Sequence, residues 1–222
     1  MNTADYDADD WMDLAWTPWN SLDPTAGDLS KITTEPGLYR VRHQNREGLT
    51  YIGQTGRDLR ERLRALAGCY KVEMPFTDPH VAAPCLWAIR QESGPAFEVS
   101  VATPDGVENN QRRKGIEEAL IAVYRRETGS NTTANFGRMI EGYKRSSRSS
   151  DGVVGGPLDD GETEPNTAAG IGPLPRKNHS NPTASEWMGL ESSQPQTLAQ
   201  ADQSIPQAAG VYRIWDPSEP HP

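Results

Sequence analysis

The chain has 222 residues, of which 35% are hydrophobic, with 20 glycines, 18 prolines and a formal net charge of −9. That length suits one good domain with extensions or two small ones, and so polar a composition predicts segments outside any packed core. No apolar run approaches a membrane span and the acidic N-terminus lacks a secretory pattern, which predicts a cytoplasmic protein.

The charge is unevenly spread. Residues 1–36 carry eight acids against one base, residues 37–148 eighteen bases against thirteen acids, and residues 149–222 ten acids against three bases. A basic middle between acidic flanks is compatible with a polyanionic ligand, although solvated surface charge explains it as simply. The two cysteines, Cys69 and Cys85, form no CxxC pair and lie near no histidine cluster, which argues against zinc and against a disulfide framework.

Residues 1–30 read as an acidic extension with Trp11, Trp16 and Trp19. They are expected to pack on the following domain; the second reading has them screen a basic surface. Residues 31–148 read as the main domain. Pro36 and Gly37 open a hairpin, with strands over Leu38–His43 and Leu49–Ile52 around the turn Asn45-Arg46-Glu47-Gly48. Alternation places Tyr39, Val41 and His43 on one face, and Leu49 and Tyr51 on one face of the return strand. A helix over 58–66 has Asp58 as N-cap, Glu61 closing a capping box, and Leu59, Leu63 and Leu66 as its buried stripe. Arg62 borders that stripe, where a guanidinium needs a partner or a ligand.

A second helix is predicted over 80–92 with Pro84 in its first turn, and a third strand over 96–102. The strongest helix spans 112–127, with Ile116, Leu120 and Val123 on one face and Gly129 as its stop. Periodicity fades over 130–148. Residues 149–206 read as a disordered linker. Residues 207–222 read as the truncated start of a second repeat: Gly210-Val211-Tyr212-Arg213-Ile214 echoes Gly37-Leu38-Tyr39-Arg40-Val41, and Glu186-Trp187-Met188 echoes Asp10-Trp11-Met12. A lone strand there is expected to be poorly ordered or to borrow a sheet edge.

Phosphodiester hydrolysis needs a positioned water, a base, positive charge on the phosphate and usually a divalent metal. Glu117, at the margin of its helix's apolar face, is the carboxylate able to face a site, whereas Glu118 projects to solvent. Arg62 can offer a bidentate fork to phosphate. Either tyrosine alone is a packing residue on strand statistics, and a phenol needs help from a cation to act as a base.

Together, Gly37-Leu38-Tyr39, Tyr51-Ile52-Gly53, the run Gln54 to Leu63 with Arg62, the segment from Glu117 to Leu120-Ile121, and Asn135 resemble the GIY-YIG nuclease family over about residues 36–143. The resemblance implies an α/β fold of α+β type, a small three-stranded antiparallel sheet flanked by helices, with long disordered tails. It also implies metal-dependent DNA cleavage: Tyr51 as base, Tyr39 orienting the water, Arg62 on the phosphate, Glu117 on a single Mg2+ or Mn2+, and Asn135 organising sheet and site. The first motif has Leu in place of the usual Ile. The loop after Tyr51 is one residue longer than in the repair enzymes, which makes Arg57 a second phosphate candidate. The longer stretch before Asn135 leaves Asn131 as its alternative. Arg57, Arg138, Lys144 and Arg145 are the expected DNA-backbone contacts, with Arg148 in the same basic arm. The competing class is a catalytically weak or inactive nucleic-acid-binding or interaction module on the same fold; no small-molecule cofactor is expected.

Overall fold

The computed structural model describes residues 6–167, 178, 180–201 and 210–216. Contacts divide the chain into two units, Met1–Leu174 and Pro175–Pro222. The first is a mixed α/β unit built on an antiparallel sheet. Its strands are β1 (Asn20–Ser21), β2 (Gly37–His43), β3 (Leu49–Thr55) and β4 (Phe97–Ala102), in the order β1-β4-β2-β3. Its helices are α1 (Leu59–Leu66), α2 (Ala83–Ser93) and α3 (Asn110–Thr128).

The sheet has four strands, where three were expected. The added one comes from the N-terminal extension, whose polar Asn20-Ser21 carries no strand signal of its own. Its neighbours fix it: Thr17 N–H donates to the Val101 carbonyl at 2.9 Å, Leu22 N–H to Phe97 at 2.9 Å, and Ser100 Oγ to the Thr17 carbonyl at 2.7 Å. The tryptophans pack on the domain as expected. Trp11 and Trp16 are buried with Leu38, Ile52, Leu120 and Tyr124. Arg40, wholly buried, has its guanidinium 4.5 Å from the Trp16 ring and 4.7 Å from the Trp19 ring.

The hairpin departs from simple alternation at one place. Tyr39 faces Gly53 and Val41 faces Tyr51, but Arg42 faces Leu49, so Thr50 is the extra residue of a bulge. The bulge turns Leu49 over. Tyr51 packs with Tyr39 beneath α1 and α2, while Leu49 joins Ile52 on the opposite face with α3. The expectation that Leu49 and Tyr51 share a face is therefore corrected.

The helices form where local chemistry places them. Asp58 Oδ1 accepts from Glu61 N at 3.0 Å to cap α1, and Leu59, Leu63 and Leu66 are its buried residues. Pro84 lies in the first turn of α2. Asn109 caps α3, and Gly129 ends it in the left-handed conformation. On α3 the buried residues are Arg113, Leu120 and Tyr124, with Ile116 and Val123 only partly covered.

The stretch expected to be linker from residue 149 returns to the domain as far as Thr167. β5 (Tyr143–Lys144) pairs with β6 (Gly156–Pro157), Leu158 N–H donates to the Gly142 carbonyl at 2.8 Å, and Met139 bridges Thr167. Glycine and proline let this segment turn back, and paired backbone groups hold it. The remainder of the proposed linker beyond Thr167 is described only at 178 and 180–201, the last including the short helix α4 (Leu198–Ala201).

The second unit repeats a turn of the first. Around Trp11, backbone N–H groups of Trp11, Asp13, Leu14 and Trp16 donate to the carbonyls of Ala8, Asp10, Trp11 and Asp9. Around Trp187, those of Trp187, Gly189, Leu190 and Ser192 donate to Ala184, Glu186, Trp187 and Ser185, the same four bonds at the same spacing. Met12 and Met188 share the left-handed conformation, with φ of 61° and 58°. Of the proposed repeat at 207–222, residues 207–209 and 217–222 lie outside the described residues. Residues 210–216 make no strand pairing among the described residues. Arg213 has its guanidinium 5.8 Å from the rings of both Trp187 and Trp215.

Candidate active site

The hairpin register sets two phenols side by side. Tyr39 lies opposite Gly53, and Tyr51, two residues before Gly53, leans diagonally across it, with ring centroids 5.9 Å apart. Only glycine fits between: a Cβ on Gly53 would lie 2.5 Å from the Tyr51 ring and 2.6 Å from the Tyr39 hydroxyl. The glycine of Tyr51-Ile52-Gly53 thus has a steric reason.

Arg62 on α1 joins them. Its Nε donates to the Tyr39 hydroxyl at 3.3 Å and Nη1 to the Pro79 carbonyl at 2.6 Å. Two of its five N–H groups are therefore committed, which leaves an N–H on Nη1 and both on Nη2 for a phosphate. Nη2 makes no hydrogen bond to a described residue and remains able to meet a phosphate oxygen.

His80 was not singled out in the sequence. It is fully buried, 2.8 Å from the Tyr39 hydroxyl, and its ring lies 5.5 Å from that of Tyr51. Burial, reinforced by Arg62, holds its pKa well below the usual histidine range, so the ring is neutral. Its Nδ1 accepts from Ala82 N–H at 3.2 Å, which puts the single ring proton on Nε2. Nε2–H then donates to Tyr39, and Arg62 donates to the same oxygen. A phenol oxygen loaded with two donors has no lone pair left for a water proton. Tyr51 has neither of these donors; its hydroxyl partners that of Tyr39. The helix expected from residue 80 begins at Ala83, which leaves His80 in the loop before it, and its partner lies 41 residues away in the chain.

Burial dominates the titration of this group. It pushes Tyr39 up to about 12 despite Arg62, and pushes Tyr51 well above the ordinary tyrosine value. Glu117 on α3 is half-buried while Glu118 is exposed, as the helix phase predicts. Desolvation, with repulsion from Glu118, raises Glu117 to about 7 against the pull of Arg62, Lys114 and Arg113. Its negative charge in turn raises both tyrosines, which places all four groups within one electrostatic neighbourhood. Glu117 makes no ion pair among the described residues.

No group of three His, Cys, Asp or Glu side chains converges on a possible metal position among the described residues. The donor set therefore does not fit zinc or a closed calcium cage. It fits a hard divalent cation held by one carboxylate, waters and substrate phosphate.

Asn135 secures the strand that carries Tyr51. Its Oδ1 accepts from Ile52 N–H at 2.9 Å and from Thr132 Oγ1 at 2.6 Å, and its Nδ2 donates to the Ile52 carbonyl at 2.7 Å. Asn131 makes none of these bonds to the strand. Arg57 is exposed, and its side chain is not brought to the cluster. The loop after β3 is filled instead by Arg113, which sequence reading passed over. Its Nε donates to Gln54 at 2.6 Å, and its guanidinium lies where a Cβ on Gly56 would stand.

The basic arm is already engaged. Lys144 contacts both carboxylate oxygens of Glu162 at 2.9 Å. Arg145 Nη1 donates to the Gly137 carbonyl at 3.0 Å and its backbone N–H to Glu164. Arg138 makes no ion pair with a described residue, and its guanidinium lies 5.5 Å from the Phe136 ring.

No family model matches the chain, and no curated protein or solved structure gives a significant match to it. Among the described residues no helix is long and apolar enough to cross a membrane.

Proposed function

We propose that this chain is a metal-dependent DNA endonuclease of GIY-YIG type. The observation that carries the reading is the convergence of two phenols, a neutral imidazole and a guanidinium beside a half-buried carboxylate that makes no ion pair among the described residues. A structural core has no use for that combination, since each member is costly to bury.

Glu117 would hold Mg2+ or Mn2+, which when bound would supply positive charge to the phosphate and ease deprotonation of nearby hydroxyls. Arg62 Nη2 meets a phosphate oxygen while its other nitrogens hold its position. Tyr39, its oxygen occupied by His80 and Arg62, donates its own proton outward and so orients the attacking water. Tyr51 is the base in its phenolate form: once its own proton has passed to solvent, its oxygen takes the proton of the water whose oxygen attacks phosphorus as the leaving oxygen of the phosphodiester departs. Burial holds both phenols above the ordinary tyrosine value, and a bound cation would ease loss of the Tyr51 proton.

The test is conversion of supercoiled plasmid to open circles by the full chain. Nicking should appear with Mg2+ or Mn2+ and vanish in EDTA. DNA binding without nicking would favour an inactive binding module on the same fold.

A further inference from the structure

Phe136 stands apart from every other large apolar residue near the tyrosine cluster. Its ring is 70% exposed and its φ is 61°, a conformation that bulky side chains avoid. Both the exposure and the strain oppose folding, yet the chain on either side is firmly held. Ala134 N–H donates to the Thr50 carbonyl at 2.8 Å, Asn135 makes its three bonds, and Arg145 holds the Gly137 carbonyl. The ring is thus presented from a rigid base.

Its position is at the rim of the site. Asn135 grips Ile52, next to Tyr51, and a Cβ on Gly137 would lie 3.7 Å from Val81, the residue after His80. Beside the ring stands the Arg138 guanidinium, which makes no ion pair with any described residue. Arg125 lies near enough to repel it. One exposed aromatic face with a guanidinium beside it suits a flat base attached to a phosphate. It is too small an apolar surface to suit a protein partner.

We propose that Phe136 stacks on an unpaired or extruded base next to the scissile phosphate, with Arg138 on the adjoining backbone, so that the preferred substrate is DNA with a locally opened strand. The location of the scissile bond rests on the nuclease reading; the stacking does not. An aromatic platform tolerates any base, because each offers a π face, and it has little to grip in a closed duplex.

The experiment uses the full chain in EDTA and two labelled duplexes, one with a single unpaired 2-aminopurine and one with that base paired. Wild type should bind the unpaired form about tenfold more tightly and quench its fluorescence. Phe136→Ala should lose the preference and the quenching, Phe136→Trp should keep both, and all three should melt alike. Absence of binding or of preference in wild type, or a preference unchanged in Phe136→Ala, would overturn the proposal. A wild type that binds and quenches but never nicks with Mg2+ would sink the hydrolase reading and leave this one standing.

Discussion

His80 and Tyr39 meet at 2.8 Å with both side chains wholly buried, and the proton between them belongs to the histidine. The Ala82 N–H on the other side of the ring fixes that assignment. His80→Ala should leave the Tyr39 oxygen with one donor and free it to turn. Nicking should fall about 10²-fold or more, the scale of a lost positioned proton-transfer group, and stability by about 1–3 kcal/mol for the exposed buried polar group. Rates and urea midpoints measured together check both.

Gly53→Ala tests the register argument. The new methyl would overlap both phenol rings, so the expected outcome is about 1–3 kcal/mol of overpacking and a displaced Tyr39 hydroxyl. Activity should drop further than stability explains, read by nicking at a temperature where the variant remains folded.

Asn135→Ala removes three hydrogen bonds and leaves both backbone groups of Ile52 buried without partners. A loss of about 2–4 kcal/mol is expected from urea unfolding.

Glu117 gives a pH signature. Its folded pKa, about 7, lies above the ordinary carboxylate value of 4.5. The raised value means that the folded state holds the proton more tightly than the unfolded state. Stability from this group is therefore full below about 4.5 and is lost as pH rises through about 7. Solvent access at a half-buried site discounts the loss to about 1–2 kcal/mol. Without divalent ions, wild type should lose more stability than Glu117→Gln between pH 4.5 and 8, measured as urea midpoints. Mg2+ should restore the difference at pH 8.

Deletion of the N-terminal extension separates packing from screening, since Asp7 also pairs with Arg42 at 3.2 Å. An acidic screen over the basic face would, when deleted, raise DNA affinity. Because Trp11 and Trp16 fill a core and Trp16 and Trp19 flank Arg40, deletion of residues 1–30 should instead lower the thermal midpoint sharply. A deleted chain that melts like wild type and binds DNA more tightly at low salt would reverse that conclusion.

Period and punctuation made much of this fold legible. The hairpin, the capped α1, the proline-started α2 and the glycine-ended α3 all follow from local chemistry. The phase of α3 alone separates Glu117 from Glu118. What escaped was set by distant partners. The bulge at Thr50 depends on strand pairing, β1 on β4 carbonyls, and the role of His80 on a contact 41 residues away. The return of residues 149–167 was hidden by their loop-like composition, since glycine and proline mark turns without saying what the turns come back to. The repeat around Trp187 was visible as an echo of three residues and is sharper as four matching hydrogen bonds.

The most direct measurement compares plasmid nicking by wild type, Glu117→Ala and Arg62→Ala, prepared alike and shown to be folded. Mg2+-dependent open circles from wild type alone are the expected result. Equal nicking by all three, or none by folded wild type with either Mg2+ or Mn2+, would contradict the assignment of this cluster as a phosphodiesterase site.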